Sequence, residues 1–274
     1  MLSFAKFSGS GNDFIIVDNR QGAFEGLGLA APEAVRRLCR RRFSVGADGL
    51  ILIERDPEAD FAWRFFNADG SEVEMCGNGG RCAARFAHLA GIAGPRMAFR
   101  TAAGLIRAEV AGERVKLEMT RPRDIRLDFE LRVNGRALTA SSLNTGVPHV
   151  VVAVDDLEAV DVVGLGRAIR YHEMFAPAGT NANFVRPEGG AVHIRTYERG
   201  VEGETLACGT GSIAAALVMA LKGKAVSPTE VKTRGGEVLR IHFVREGAGF
   251  REVYLEGGAA YVFEGSLQPG ALSN

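Results

Sequence analysis

The sequence predicts a strand-rich α/β protein made of two related halves, each delivering one cysteine at a strand-to-helix turn. Three observations carry this. Short β-branched or aromatic runs bounded by Gly, Asp, Asn or Arg dominate the chain, as strands do. The turn Met75-Cys76-Gly77-Asn78-Gly79 reappears as Ala207-Cys208-Gly209-Thr210-Gly211. The stretches before the two turns also echo one another.

In chain order, Phe14 to Val17 and Leu50 to Ile53 are predicted as strands, and Val150 to Val154 and Val238 to Val244 read the same way. Pro32 to Arg42 is predicted as a helix. Proline opens it at a tolerated first-turn position, and Val35, Leu38 and Cys39 fall on one face, which assigns Cys39 to the core. Two further helices are predicted to start just after Cys76 and Cys208, where glycine turns give way to alanine-rich segments suited to close packing on sheets. About ten residues before each cysteine a strand ends in polar residues, Arg64 to Asn67 in one half and Arg195 to Arg199 in the other. Ser10 to Asp18 has a looser echo in Thr145 to Val152. Such a chain is expected to be pseudo-twofold, with its site in the cleft between domains. Thr120-Arg121-Pro122 breaks the pattern and marks the boundary. The expected domains are 1–119, joined by a final strand at 262–274, and 120–261.

At 274 residues, 46% hydrophobic and 24% charged, the chain is long enough for one large or two medium cores. Basic and acidic residues balance at 33 each, which disfavours a nucleic-acid partner. The first twenty residues hold neither a signal-peptide apolar core nor a membrane-spanning run of roughly 18 residues. The expected location is cytoplasmic, with no membrane partner. Cys39, Cys76, Cys82 and Cys208 form no Cys-x-x-Cys pair, and the five histidines do not cluster at ligand spacing, so no metal site is expected.

A cysteine opening a helix faces unpaired N–H groups and the positive end of the dipole, both of which favour thiolate. The position predicts a base or nucleophile near neutral pH. The glycines after it let N–H groups converge on an anion, for which an α-carboxylate is the natural guest. Two such turns gripping one carboxylate would place an α-carbon between two sulfurs. Racemisation needs that arrangement, because one group removes the α-proton while a protonated one delivers to the other face. Without an electron sink, hydrogen bonds to the carboxylate must strengthen as enolate character develops. No lysine motif or phosphate cup argues for pyridoxal phosphate, and no cofactor is expected. Cys82, inside its helix, lacks the activating position and reads as core.

At these residues the chain resembles the diaminopimelate epimerase family over essentially its whole length. The resemblance rests on Lys6 to Phe14, Phe66 to Ser71, Met75 to Cys82, Gly146 to His149, Gly179 to Phe184, and Tyr197 to Gly200 running on to Gly203 to Gly211. It implies two pseudosymmetric α/β (α+β) domains, each a mixed, mostly antiparallel sheet curled around a central helix, with the C-terminal strand returning to the first domain. It also implies cofactor-independent interconversion of LL- and meso-diaminopimelate, on the way to lysine and peptidoglycan. Cys76 and Cys208 would then be the acid/base pair. Asn12, Asn67, Asn181, Glu198 and Arg199 would bind the substrate's distal groups, and Gly77, Asn78, Gly209 and Thr210 the reacting carboxylate. His149 and Glu198 would tune the thiols. Relatives suggest a homodimer.

The chain departs from the family pattern at Gly49, where many members have glutamine, and at Val147, where many have asparagine. One residue is also added through Val201-Glu202-Gly203. The nearest alternative is a two-cysteine racemase of proline, hydroxyproline or histidine. A redox-sensing thiol protein and an amino-acid-binding module without turnover belong to other classes.

Overall fold

Residues 2–268 and 270–272 are described by a computed structural model. The chain divides into two units, Met1–Leu117 with Gly257–Asn274, and Glu118–Glu256. The divisions fall two and five residues before the expected 119/120 and 261/262. The second is early because arginines of the first unit's central helix bind the carbonyls of Gly258 and Ala259.

The first unit runs β1 (Ser3–Gly9), β2 (Asn12–Asp18), α1 (Ala31–Cys39), β3 (Gly49–Glu54), β4 (Phe61–Asn67), β5 (Glu72–Val73), α2 (Gly77–Leu89), β6 (Arg96–Thr101), β7 (Gly104–Ala111) and β8 (Arg114–Glu118). β2 pairs parallel to β3, and β4 parallel to β6; β1–β2, β3–β4, β4–β5, β6–β7 and β7–β8 are antiparallel. The central strands are covered on both faces, which is why Phe14 to Val17 and Leu50 to Ile53 are continuous apolar runs. Ile15, Val17, Leu50 and Leu52 share a core with Val35 and Leu38 of α1. On the other face lies α2, packed on β1, β2, β3 and β7. α1 stops at Cys39, short of the expected Arg42, which itself takes a left-handed φ of 72°.

The second unit runs β9 (Arg123–Val133), β10 (Arg136–Asn144), β11 (Pro148–Ala153), α3 (Val162–Arg170), β12 (Asn181–Glu188), β13 (Ala191–Glu198), β14 (Gly203–Thr205), α4 (Gly209–Leu221), β15 (Thr229–Lys232), β16 (Val238–Glu246) and β17 (Gly249–Gly258). Its ladder repeats the first. β11–β12 and β13–β15 are parallel, and β9–β10, β10–β11, β12–β13, β13–β14, β15–β16 and β16–β17 antiparallel. Residues Gly211 to Ala220 of α4 are buried without a break, the mark of a helix enclosed by sheet. The first-unit counterpart of β9 is β18 (Ala260–Ser266), which pairs antiparallel with β1 from Ser3↔Ser266 to Ser8↔Ala260, as β9 does with β10. Each unit is thus a mixed, mostly antiparallel sheet around a central helix, as the family resemblance implies.

Candidate active site

In the first unit the chain leaves β4, turns back as β5 and enters α2 with Cys76 as the N-cap, in extended conformation (φ −143°, ψ 117°). Cys76 Sγ accepts from the Gly79 N–H at 3.4 Å. The first intrahelical bond runs from Gly80 N to Cys76 O, so the N–H groups of Gly77 and Asn78 precede it and belong to the orphan donors of a helix start. Glycine at 80 permits close packing, since a Cβ there would lie 2.9 Å from Leu117. The Asn78 amide donates to Asn12 Oδ1 at 2.8 Å, and Asn12 donates to Asp48 Oδ2 at 3.2 Å. Buried Arg81 holds Asn78 Oδ1 at 3.1 Å and also binds Ser10. Asn67 is exposed at the end of β4 and donates to Ser71 Oγ.

In the second unit Cys208 caps α4 in the same conformation (φ −126°, ψ 109°), with Sγ 3.6 Å from Thr210 Oγ1. Thr145 fastens the turn by donating to the Thr210 carbonyl at 3.1 Å. The surroundings differ from those of Cys76. Cys208 is buried next to Glu198, and its pKa is pushed up to about 12, first by burial and then by the Glu198 charge; the Thr210 hydroxyl and Gly211 N–H oppose this only in part. Burial also raises the pKa of Glu198, against hydrogen bonds from Thr205 and Cys208. The helix start alone predicts thiolate near neutral pH. At Cys208, loss of water and a neighbouring carboxylate outweigh it, and the group is a thiol.

The other expected residues of this unit are engaged as follows. Asn181 donates to the Pro148 carbonyl at 3.0 Å and accepts from the Arg199 N–H at 2.8 Å, tying together the two segments that carry His149 and Arg199. The Arg199 side chain reaches the Ala178 carbonyl. His149 is fully buried, with Nδ1 3.1 Å from Asn183 Nδ2, and burial and the nearby Arg199 charge hold its pKa down to about 3.

The structure adds residues not singled out from sequence: Asp48 and Arg81 in the first unit, Asn183 and Thr196 in the second. Asn183 carried a usable signal, because it stands two residues after Asn181 in a strand and so shares its face. At Gly49 a Cβ would lie 2.6 Å from both the Phe65 ring and the Phe66 carbonyl, so Phe65 fills the room a longer side chain would need. Cys39, Cys76, Cys82 and Cys208 form no disulfide. Among the described residues no helix is long and apolar enough to cross a membrane.

Two repeated α/β units, each a mixed sheet around a central helix, define the class of fold. It is the fold of the PhzF-type proteins and the proline-type epimerases. A Bacillus anthracis phenazine biosynthesis protein of the PhzF family superposes with a TM-score of 0.70 at 17% identity, covering 98% of this chain and 99% of that one. A hydroxyproline epimerase from Agrobacterium vitis gives 0.63 at 15% identity, covering 96% and 91%. The diaminopimelate epimerase family profile matches residues 4–125 and 141–262, one stretch in each half. A diaminopimelate epimerase of Aquifex aeolicus is 50% identical over 97% of this chain and 98% of its own length, and one of Archaeoglobus fulgidus 43% identical over 97% and 96%. The chain belongs to the diaminopimelate epimerase family, and so to the isomerases.

Proposed function

We propose that this protein interconverts LL- and meso-2,6-diaminopimelate by proton transfer between the substrate α-carbon and two cysteines, Cys76 and Cys208, without a cofactor. The observation that carries the reading is the repetition: each unit places a cysteine at the N-cap of its central helix, on the same strand ladder.

A thiolate at one cysteine takes the α-proton, the Cα–H electron pair passes into the carboxylate as enolate, and the thiol at the other returns a proton to the opposite face. The two cysteines end with exchanged protonation states. Orphan N–H groups of Gly77, Asn78, Gly209 and Thr210 serve the carboxylate, and their hydrogen bonds strengthen as it becomes an enolate. Cys208, held as thiol, suits the donor role in the resting enzyme. Asn12, Asn67, Asn181, Glu198 and Arg199 serve the distal ammonium and carboxylate; Glu198 and His149 tune the thiols. The working compartment is the cytoplasm, where free thiols persist.

The test is α-proton exchange in heavy water with LL-diaminopimelate, L-proline and L-histidine, on reduced wild type and on Cys76→Ala and Cys208→Ala. Inversion is expected with diaminopimelate alone and in neither single variant. Inversion of proline or histidine instead would change the substrate and leave the mechanism. Unimpaired inversion in either variant would end the two-cysteine reading, and no exchange with any substrate would return the thiol-sensor and binding-module readings.

A further inference from the structure

Asn183 is fully buried in β12, and its amide has three hydrogen-bond partners. Nδ2 lies 2.8 Å from the Val150 carbonyl and 3.1 Å from His149 Nδ1, while Oδ1 accepts from Thr196 Oγ1 at 3.0 Å. Oδ1 also lies under the Cys208 turn, since a Cβ on Gly211 would approach it to 2.4 Å. A backbone carbonyl can only accept, so the amide nitrogen must face Val150 and the oxygen must face Thr196. The same nitrogen then faces Nδ1, and two donors cannot face each other. Nδ1 is therefore the acceptor, and the ring carries its proton on Nε2.

Two further facts bear on what that ring can do. Nε2 is buried without a hydrogen-bond partner among the described residues. Burial and Arg199 keep the ring neutral; an amide oxygen at Nδ1 would oppose them, but that oxygen is taken by Thr196. An unpaired N–H in a folded interior is costly, and it calls for a partner in the working state.

We propose that Asn183 is a positioning residue that holds His149 as the neutral Nε2–H tautomer, so that the imidazole donates one hydrogen bond to an anionic group and accepts no proton. The positive Arg199 acts on the same ring and favours the same kind of partner. This keeps His149 out of the proton inventory of the two thiols, since its one basic lone pair is committed to Asn183. The catalytic consequence rests on the two-cysteine reading; the tautomer does not.

The experiment is nitrogen-15 NMR of the histidine rings in the intact protein, with the His149 signals identified by their loss in His149→Gln. A pyridine-type Nδ1 and a pyrrole-type Nε2, unchanged between about pH 5 and 8, are expected. A protonated Nδ1, or a ring that titrates in that range, overturns the proposal whether or not the protein turns over any substrate. Asn183→Asp is nearly isosteric and turns the donor into an acceptor. It should move the proton to Nδ1, bring His149 into the titrating range, and lower kcat on the order of 100-fold or more with a much smaller change in KM. A reversed tautomer with wild-type kcat would overturn the positioning role. If that variant fails to fold, the wild-type spectrum alone decides.

Discussion

Cys76 and Cys208 stand at equivalent places, yet one is half-buried and bonded to a helix N–H while the other is enclosed beside a carboxylate. The difference has a measurable sign. The Cys208 thiol ionises near 9.0 in an open chain and near 12 in place, so the unfolded chain loses its proton first. Stability from this group is complete below pH 9 and falls as pH rises through the interval to 12. Glu198→Gln removes the second cause of the shift. It should lower the Cys208 pKa and narrow the interval, as read by thiolate absorbance against a Cys208→Ser baseline; an unchanged or higher midpoint would show that Glu198 does not act on the thiol. At this scale the two cysteines were legible because a rare residue recurred before the same glycine turn. Asn183 was only partly so: its place two residues after Asn181 put it on the same face, but its partners His149 and Thr196 come from neighbouring strands. Gly49 was legible as a departure from the family, but its cause, the Phe65 ring, comes from the neighbouring strand.

Among the elements, α2 and α4 start where the Cys-Gly turns predicted, and α1 begins near its proline. α3 gave no such sign. Its stretch Val162-Val163-Gly164-Leu165-Gly166 carries two poor helix formers and two β-branched residues, so local propensity argues against it. It forms because Asp161 caps it through the Gly164 N–H at 2.9 Å, and because Gly166 lets it sit on β13, where a Cβ would lie 2.4 Å from that of Tyr197. Tertiary packing here overrules propensity. Asp161→Ala should cost about 1 kcal/mol in urea unfolding while kcat stays near wild type. A loss within error would mean that packing alone holds α3.

For the whole molecule, the repeat legible in the motifs extends to the complete strand ladder, including parallel pairs at the same two places in each unit. Sequence could not show those pairings, which depend on non-neighbouring segments. The homodimer suggested by relatives is a proposal at this scale. Its candidate face lies on the first unit, where Leu89 of α2 and Tyr261, Val262 and Phe263 of β18 are exposed, beside a groove of about 820 Å³ that contains neither cysteine. Val262→Lys should lower the mass measured by sedimentation equilibrium to that of one chain. A dimer that survives the change would place the contact elsewhere.

The pairing of β18 with β1 also sets an order in time. The ribosome makes β1 before the second unit and β18 after it, so the side of β1 that β18 will cover stays open while residues 118–256 emerge. An open strand edge invites wrong partners, and domains otherwise tend to complete as they are made. Of the two units, the one begun first is finished last, and the newborn chain must carry that open edge until β18 arrives.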